Sequence, residues 1–181
     1  MFAENGYDAT SLDAIASESG LTKATLYYHF SSKETIYAAV VTRYLAEAKQ
    51  QLDEIVHAGG TTEEILERII AAMLDDTLSP SKRYIHYQER VRVEPEIRQV
   101  IRAAQREYEV RLAQVIQKAQ EEGEVMEGDP RVLAMLLIGT VGRTAWWYRP
   151  DGRVGVDEFR DTLTRFMLDG VLRRKGPAAN G

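Results

Sequence analysis

Eight side chains between positions 22 and 33 form the constellation in this chain best suited to specific chemistry: Thr22, Lys23, Ala24, Thr25, Tyr27, Tyr28, His29 and Lys33. They supply hydroxyls, two ammonium groups, an imidazole and one small side chain. Hydroxyls and ammonium groups suit phosphate oxygens, a small residue permits close backbone approach, and methyl groups suit thymine. The chemistry is recognition of a nucleic-acid duplex. Leu26 and Phe30 recur at i and i+4 as an inward side, which leaves two tyrosines outside on a short helix. Spacing alone leaves a second reading open, a small helical hairpin with surface tyrosines.

Competing chemistries lack their residues. The chain has no cysteine, which excludes disulfides, thiolate catalysis and cysteine-ligated metal. His29, His57 and His86 are scattered without the carboxylate spacing of a metal site, so neither metal nor cofactor is expected. Gly59-Gly60 is not a phosphate-cradling loop, Glu121-Glu122 reads as a solvated helix end, and no Ser-His-Asp set has a local signature. No catalytic residue is predicted, and an enzyme is not expected.

Two helices and a tight turn must position the constellation. Thr10 or Ser11 can cap a helix in which Leu12, Ile15 and Ala16 make the apolar stripe. Gly20 ends it, Leu21 is expected to pin the turn into the core, and Thr22 can cap the second helix. Ser31 or Ser32 then caps a third, with Glu34 in its first turn and Lys33 placed to share a phosphate with the amides there. This is the helix-turn-helix geometry that lays one helix in the major groove.

The stretch Phe2-Ala-Glu-Asn-Gly-Tyr-Asp-Ala-Thr-Ser-Leu-Asp-Ala-Ile-Ala16, with Gly20-Leu-Thr-Lys-Ala-Thr-Leu-Tyr-Tyr-His-Phe30 and Ser32-Lys-Glu34, closely resembles the TetR family of bacterial transcriptional regulators. The match spans roughly residues 2–45 without gaps. The resemblance implies that residues 11–19 are the second helix and residues 22–29 the recognition helix. A fourth helix from Ser32-Lys33-Glu34 would link the headpiece to a regulatory domain. Carried over by position, Thr22, Lys23, Ala24, Thr25, Tyr27, Tyr28, His29 and Lys33 would contact DNA. Family members usually have further residues before the position of Phe2, completing the first helix. The reading here is a first-helix stub of about one turn, with a start upstream of Met1 favoured.

Charge tempers the DNA reading. The chain carries a net charge of −5. Within residues 1–47, Lys23, Lys33 and Arg43 oppose Glu4, Asp8, Asp13, Glu18, Glu34 and Glu47. Three cations against six anions predict weak, salt-sensitive non-specific binding and a headpiece that needs two copies. No leader is read, and the most apolar run, Val132 to Gly142, falls well short of the ~20 residues that cross a bilayer. A soluble, cytoplasmic protein without a membrane partner is expected.

Beyond the headpiece the periodicity is helical throughout, so the predicted fold is all-α. The expected domains are residues 1–45, a regulatory and dimerisation domain over 46–175, and a disordered tail over 176–181. One long helix ends near Ala58-Gly59-Gly60, and Thr61 or Thr62 starts the next, broken at Ser79-Pro80-Ser81. Further helices are expected over about 82–93, from Pro95 to Glu122, from Asp129-Pro130 to about Tyr148, and over about 156–174.

The last two helices carry more apolar surface than one body covers, which points to a homodimer. The candidate interface residues are Leu133, Leu137, Thr140, Val141, Phe159, Leu163, Phe166, Met167 and Gly170. A two-fold dimer implies a palindromic operator with recognition helices about one DNA turn (~34–36 Å) apart. Candidate effector contacts are Tyr84, His86, Tyr87, Arg90, Tyr108, Arg143, Trp146 and Trp147, a mixture suited to a ligand with an apolar body and an anionic or polar end. Residues 143–159, with Val93-Glu-Pro-Glu-Ile-Arg-Gln99 and Glu121-Glu-Gly-Glu-Val125, resemble the carboxy-terminal domain of TetR-like repressors of fatty-acid, steroid and aromatic-acid degradation. That narrower resemblance implies an acyl-CoA thioester as effector. An alternative from another class is a dimeric helical adaptor or ligand-binding protein that has lost DNA binding through its shortened first helix.

Overall fold

A computed structural model of the chain describes residues 1–82 and 93–172. Among these are eight helices: α1 (Phe2–Ala9), α2 (Leu12–Glu18), α3 (Lys23–His29), α4 (Lys33–Ala58), α5 (Thr62–Leu78), α6 (Pro95–Glu121), α7 (Pro130–Trp147) and α8 (Val156–Val171). The expected helix over 82–93, the effector candidates Tyr84, His86, Tyr87 and Arg90, and the tail over 176–181 lie outside the described residues.

Local chemistry sets the helix starts. Ser11, not Thr10, caps α2, its Oγ accepting from the Ala14 amide at 3.1 Å. Thr10 is buried instead and donates its hydroxyl to the Gly6 carbonyl at 2.7 Å. α1 kinks at Gly6, whose φ of 75° suits a residue without Cβ. Thr61 caps α5 through a reciprocal pair with Glu64: the Glu64 amide donates to Thr61 Oγ1 (3.2 Å), and the Thr61 amide donates to Glu64 Oε2 (2.9 Å). Asp129 caps α7 by accepting from the Arg131 and Val132 amides, with Pro130 in the first turn.

Residues 1–49 and 76–108 form one compact unit, and residues 50–75 with 109 onward form a second. α4, α5 and α6 each contribute to both units. The first unit has a core of Phe2, Ala16, Leu26, Ile36, Tyr37, Ala38, Val41 and Ile101, with Tyr7, Val93 and Ile97 packed against it. Phe2, Tyr7 and Tyr37 make three mutual ring contacts at 5.1–5.8 Å between centroids. The start of α6 is thus part of the headpiece core, a partnership that helical period alone does not reveal.

In the second unit Leu66, Ile69, Ile70, Leu74, Leu112, Ile116 and Val125 are almost wholly buried. Each such aliphatic side chain contributes about 1.5–3 kcal/mol of transfer free energy. Val125 pairs in an isolated antiparallel bridge with Leu172, and the Met126 amide donates to the Val171 carbonyl at 2.9 Å. The corner between α7 and α8 is built by Tyr148. Its ring stacks on Phe159 at 3.8 Å, and its hydroxyl donates to the Val154 carbonyl at 3.1 Å.

Candidate nucleic-acid interface

α2 and α3 turn Ala16 and Leu26 into the same core, where both are buried. Between them Gly20 adopts φ 66°, and the Leu21 amide donates to the Ala16 carbonyl at 2.9 Å. That backbone bond holds the turn. Leu21 itself is 44% exposed, which corrects the expectation that it pins the turn into the core.

Thr22 starts α3, its Oγ1 accepting from the Thr25 amide at 3.1 Å and lying 2.8 Å from the Thr25 hydroxyl. With Leu26 inward and Phe30 half-buried, the opposite side of the helix is presented outward. Thr22, Lys23, Ala24, Tyr27, Tyr28 and His29 are all exposed, and Thr25 is half-buried. Tyr28 is 86% exposed and Tyr27 46%, with the Tyr28 ring edge-on to His29 at 5.1 Å. Seven of the eight predicted DNA contacts therefore belong to one short, outward-facing segment.

Lys33 differs. Its ammonium donates to the Tyr7 carbonyl at 2.9 Å and the Asp8 carbonyl at 3.4 Å, and it sits 4.3 Å from the Tyr7 ring centroid. In this structure it satisfies carbonyls at the end of α1, where a helix leaves acceptors unpaired and favours a cation. In the absence of DNA the ammonium at the start of α4 is thus bonded to backbone rather than free. Nearby, the Ser32 hydroxyl and the Glu34 amide hold the Glu34 carboxyl below the usual glutamate range. Burial and the adjacent Glu34 carboxylate push the Tyr7 phenol up.

The apolar faces proposed for a partner also sort differently. Leu133, Leu137, Val141, Phe159 and Met167 are buried within the chain itself, while Thr140 and Leu163 are half-buried. Phe166 and Gly170 are exposed. The outward stripe of α7 is instead Val132, Met135, Leu136 and Gly139, with Leu136 59% exposed. α7 is apolar nearly all round, so its period cannot say which stripe turns inward.

Among the effector candidates, Tyr108 is half-buried in the first unit, where burial and the Asp76 charge push its phenol up to about 12. Arg143 lies over Trp146 at 5.1 Å in the second unit. Trp147 is exposed, with its ring edge-on to Phe159 at 5.7 Å. Sequence reasoning missed a polar cluster in the first unit. Asp76 and Thr77 are buried, Lys82 forms an ion pair with Asp76, and the Lys82 ammonium lies 5.4 Å from the Tyr44 ring. The signal was available: Ile69, Ile70, Met73 and Leu74 define an inward stripe whose next positions are 76 and 77. Among the described residues no group of three or more histidine, aspartate or glutamate side chains is placed to hold a metal ion. No helix there is long and apolar enough to cross a membrane.

Residues 1–40 match the family described as bacterial regulatory proteins, tetR family, and residues 59–171 match the tetracyclin repressor-like C-terminal domain. The transcriptional repressor KstR2 of Rhodococcus jostii is 27% identical over 177 residues, which cover 94% of this chain and 85% of that repressor. A TetR/AcrR-family regulator from Thermobifida fusca superposes with a TM-score of 0.74 at 32% identity, covering 93% of this chain and 91% of its own. FadR of Bacillus subtilis, crystallised in complex with stearoyl-CoA, superposes with a TM-score of 0.79 at 22% identity over 93% of this chain and 92% of its own.

Proposed function

We propose that this chain, which belongs to the TetR family of bacterial regulatory proteins and is a DNA-binding transcriptional regulator, acts as a homodimeric repressor released from a palindromic operator by a small effector. The outward face of α3 carries this reading: Tyr27 and Tyr28 are displayed on a helix anchored from behind by Leu26. Two tyrosines exposed beside Thr22, Lys23 and Ala24 provide phosphate-binding and groove-reading groups on one surface. A similar chain, KstR2, is a repressor, which supports the direction of control.

A dimer supplies the second copy that an acidic headpiece needs. The exposed stripes Val132, Met135, Leu136 and Gly139 on α7 and Phe166 and Gly170 on α8 are the surfaces we assign to it. The effector proposed is an acyl-CoA thioester. Support comes from the sequence of the α7–α8 corner and from the stearoyl-CoA complex of the similarly folded FadR. Within the second unit, Arg143, Trp146 and Trp147 are proposed effector contacts, with Arg143 suited to an anionic end.

Release requires only that effector and DNA prefer different arrangements of the headpiece. A coupling of about 1–3 kcal/mol suffices and acts equally in both directions. α6 is one route for it, since Ile97 and Ile101 pack in the headpiece core and the same helix continues to Glu121 in the second unit. Binding of the full chain to DNA from upstream of its own gene, followed by acyl-CoA titration with tryptophan fluorescence, tests the scheme. Footprinting of a palindrome and release by an acyl-CoA are expected. A protein that binds no such DNA would be a helical adaptor instead, and indifference to every chain length would remove the thioester.

A further inference from the structure

Every lysine and arginine in residues 1–47 already has a partner inside the chain. Lys33 is bonded to the Tyr7 and Asp8 carbonyls. Arg43 Nε donates to Glu47 Oε1 at 2.8 Å. Lys23 Nζ lies 2.7 Å from Asp13 Oδ1. The first of these cations is committed to backbone, and the second lies on α4, away in sequence from the recognition helix. Lys23 alone begins that helix, and its partner is an exposed carboxylate from the preceding one.

Both side chains of this pair are open to solvent, at 58% for Lys23 and 66% for Asp13. The hydrogen bond to Asp13 and its charge raise the Lys23 pKa, and at this distance the carboxylate offsets the field of the ammonium. Lys23 is the first residue of α3, where the unpaired amides make a cation unwelcome. The Asp13 carboxylate restricts this long, flexible side chain.

We propose that Asp13 is a specificity-determining residue, which holds Lys23 off the phosphates of random DNA and keeps it oriented for the base edges of the operator. This rests on the DNA-binding reading above. Random DNA offers Lys23 only an exchange of one anion for another, with the Asp13 carboxylate then left unpaired beside a phosphate. The operator offers a base edge that an ammonium held in place reaches with less loss of side-chain freedom. Removing the carboxylate therefore frees a cation for non-specific contacts without improving the specific one.

The test compares the unaltered chain with Asp13→Asn, Lys23→Ala and the double variant, across a range of salt concentrations. The probes are the footprinted fragment from upstream of its own gene and a random-sequence duplex of equal length. Asp13→Asn is expected to tighten random-duplex binding by about three- to tenfold and to steepen its salt dependence by roughly one phosphate contact. Operator affinity is expected to change by less than about twofold, so the specificity ratio falls. In the Lys23→Ala background the effect of Asp13→Asn disappears. Equal tightening on both duplexes overturns the proposal, as does an undiminished effect without Lys23, which would mean that Asp13 simply repels DNA. Failure of the unaltered chain to bind the upstream fragment sinks the DNA-binding reading itself, and that result is visible before any variant is compared.

Discussion

Lys33 joins the start of α4 to the end of α1 through a single ammonium, and its removal has two separable consequences. Lys33→Ala leaves the Tyr7 and Asp8 carbonyls without this donor and lowers thermal stability, by about 1 kcal/mol for a cation at a helix end. Thermal denaturation followed by circular dichroism reads that loss. If the residue also reaches phosphate when DNA is bound, the same variant flattens the salt dependence of operator binding by about one contact. Tyr27 is a simpler case, because it lies on the exposed face of α3. Tyr27→Ala is expected to weaken operator binding by roughly tenfold, the cost of a hydrogen bond to a charged oxygen, while leaving the melting temperature unchanged. Residue types announced which face of α3 is exposed: Thr22 to His29 lie where their spacing with Leu26 places them. The pairing of Lys33 with α1 was not legible, since it spans 26 positions and depends on how α1 and α4 pack.

Helix boundaries follow from capping chemistry that a few adjacent residues determine. Thr61 and Glu64 satisfy each other's amides at the start of α5, so Thr61→Ala is expected to cost about 1 kcal/mol in chemical denaturation. The start of α4 adds a pH dependence. Glu34 titrates below the usual glutamate range, because Ser32 and its own amide favour the carboxylate. A lowered folded pKa contributes stability that is fully present above the unfolded value of about 4.3 and is lost as pH falls through the folded one. Acid titration of the unaltered chain is therefore expected to show a loss below about pH 4 that is smaller in Glu34→Gln. Where two hydroxyls compete for one cap, as at Thr10 and Ser11, local sequence offers both and packing chooses. Thr10 is drawn inward to the Gly6 carbonyl, which leaves Ser11 to cap α2.

At the scale of the molecule, neighbouring leucines on α7 have opposite tasks. Leu137 is 3% exposed and belongs to the core, so Leu137→Ala is expected to destabilise the chain by about 2–5 kcal/mol. Leu136 is 59% exposed and Phe166 69%, so Leu136→Glu or Phe166→Glu is expected to leave folding intact and yield monomers in sedimentation equilibrium at micromolar concentration. Such monomers are expected to lose operator binding, because one headpiece lacks the second set of contacts. A monomeric unaltered chain would refute the dimer outright.

Much of this protein is determined locally. The all-helical character, most helix ends and the exposed face of α3 follow from period, caps and a glycine turn, interactions that span four or five residues. Tertiary structure decided the rest: the burial of Leu133, Leu137 and Val141 in place of Val132, Met135 and Leu136, the entry of Ile97 and Ile101 into the headpiece core, and the buried Asp76 beside Tyr108. The physical reason is common to all three. An apolar stripe states that a helix face seeks cover, but the cover comes from residues far away in sequence, and only packing assigns it.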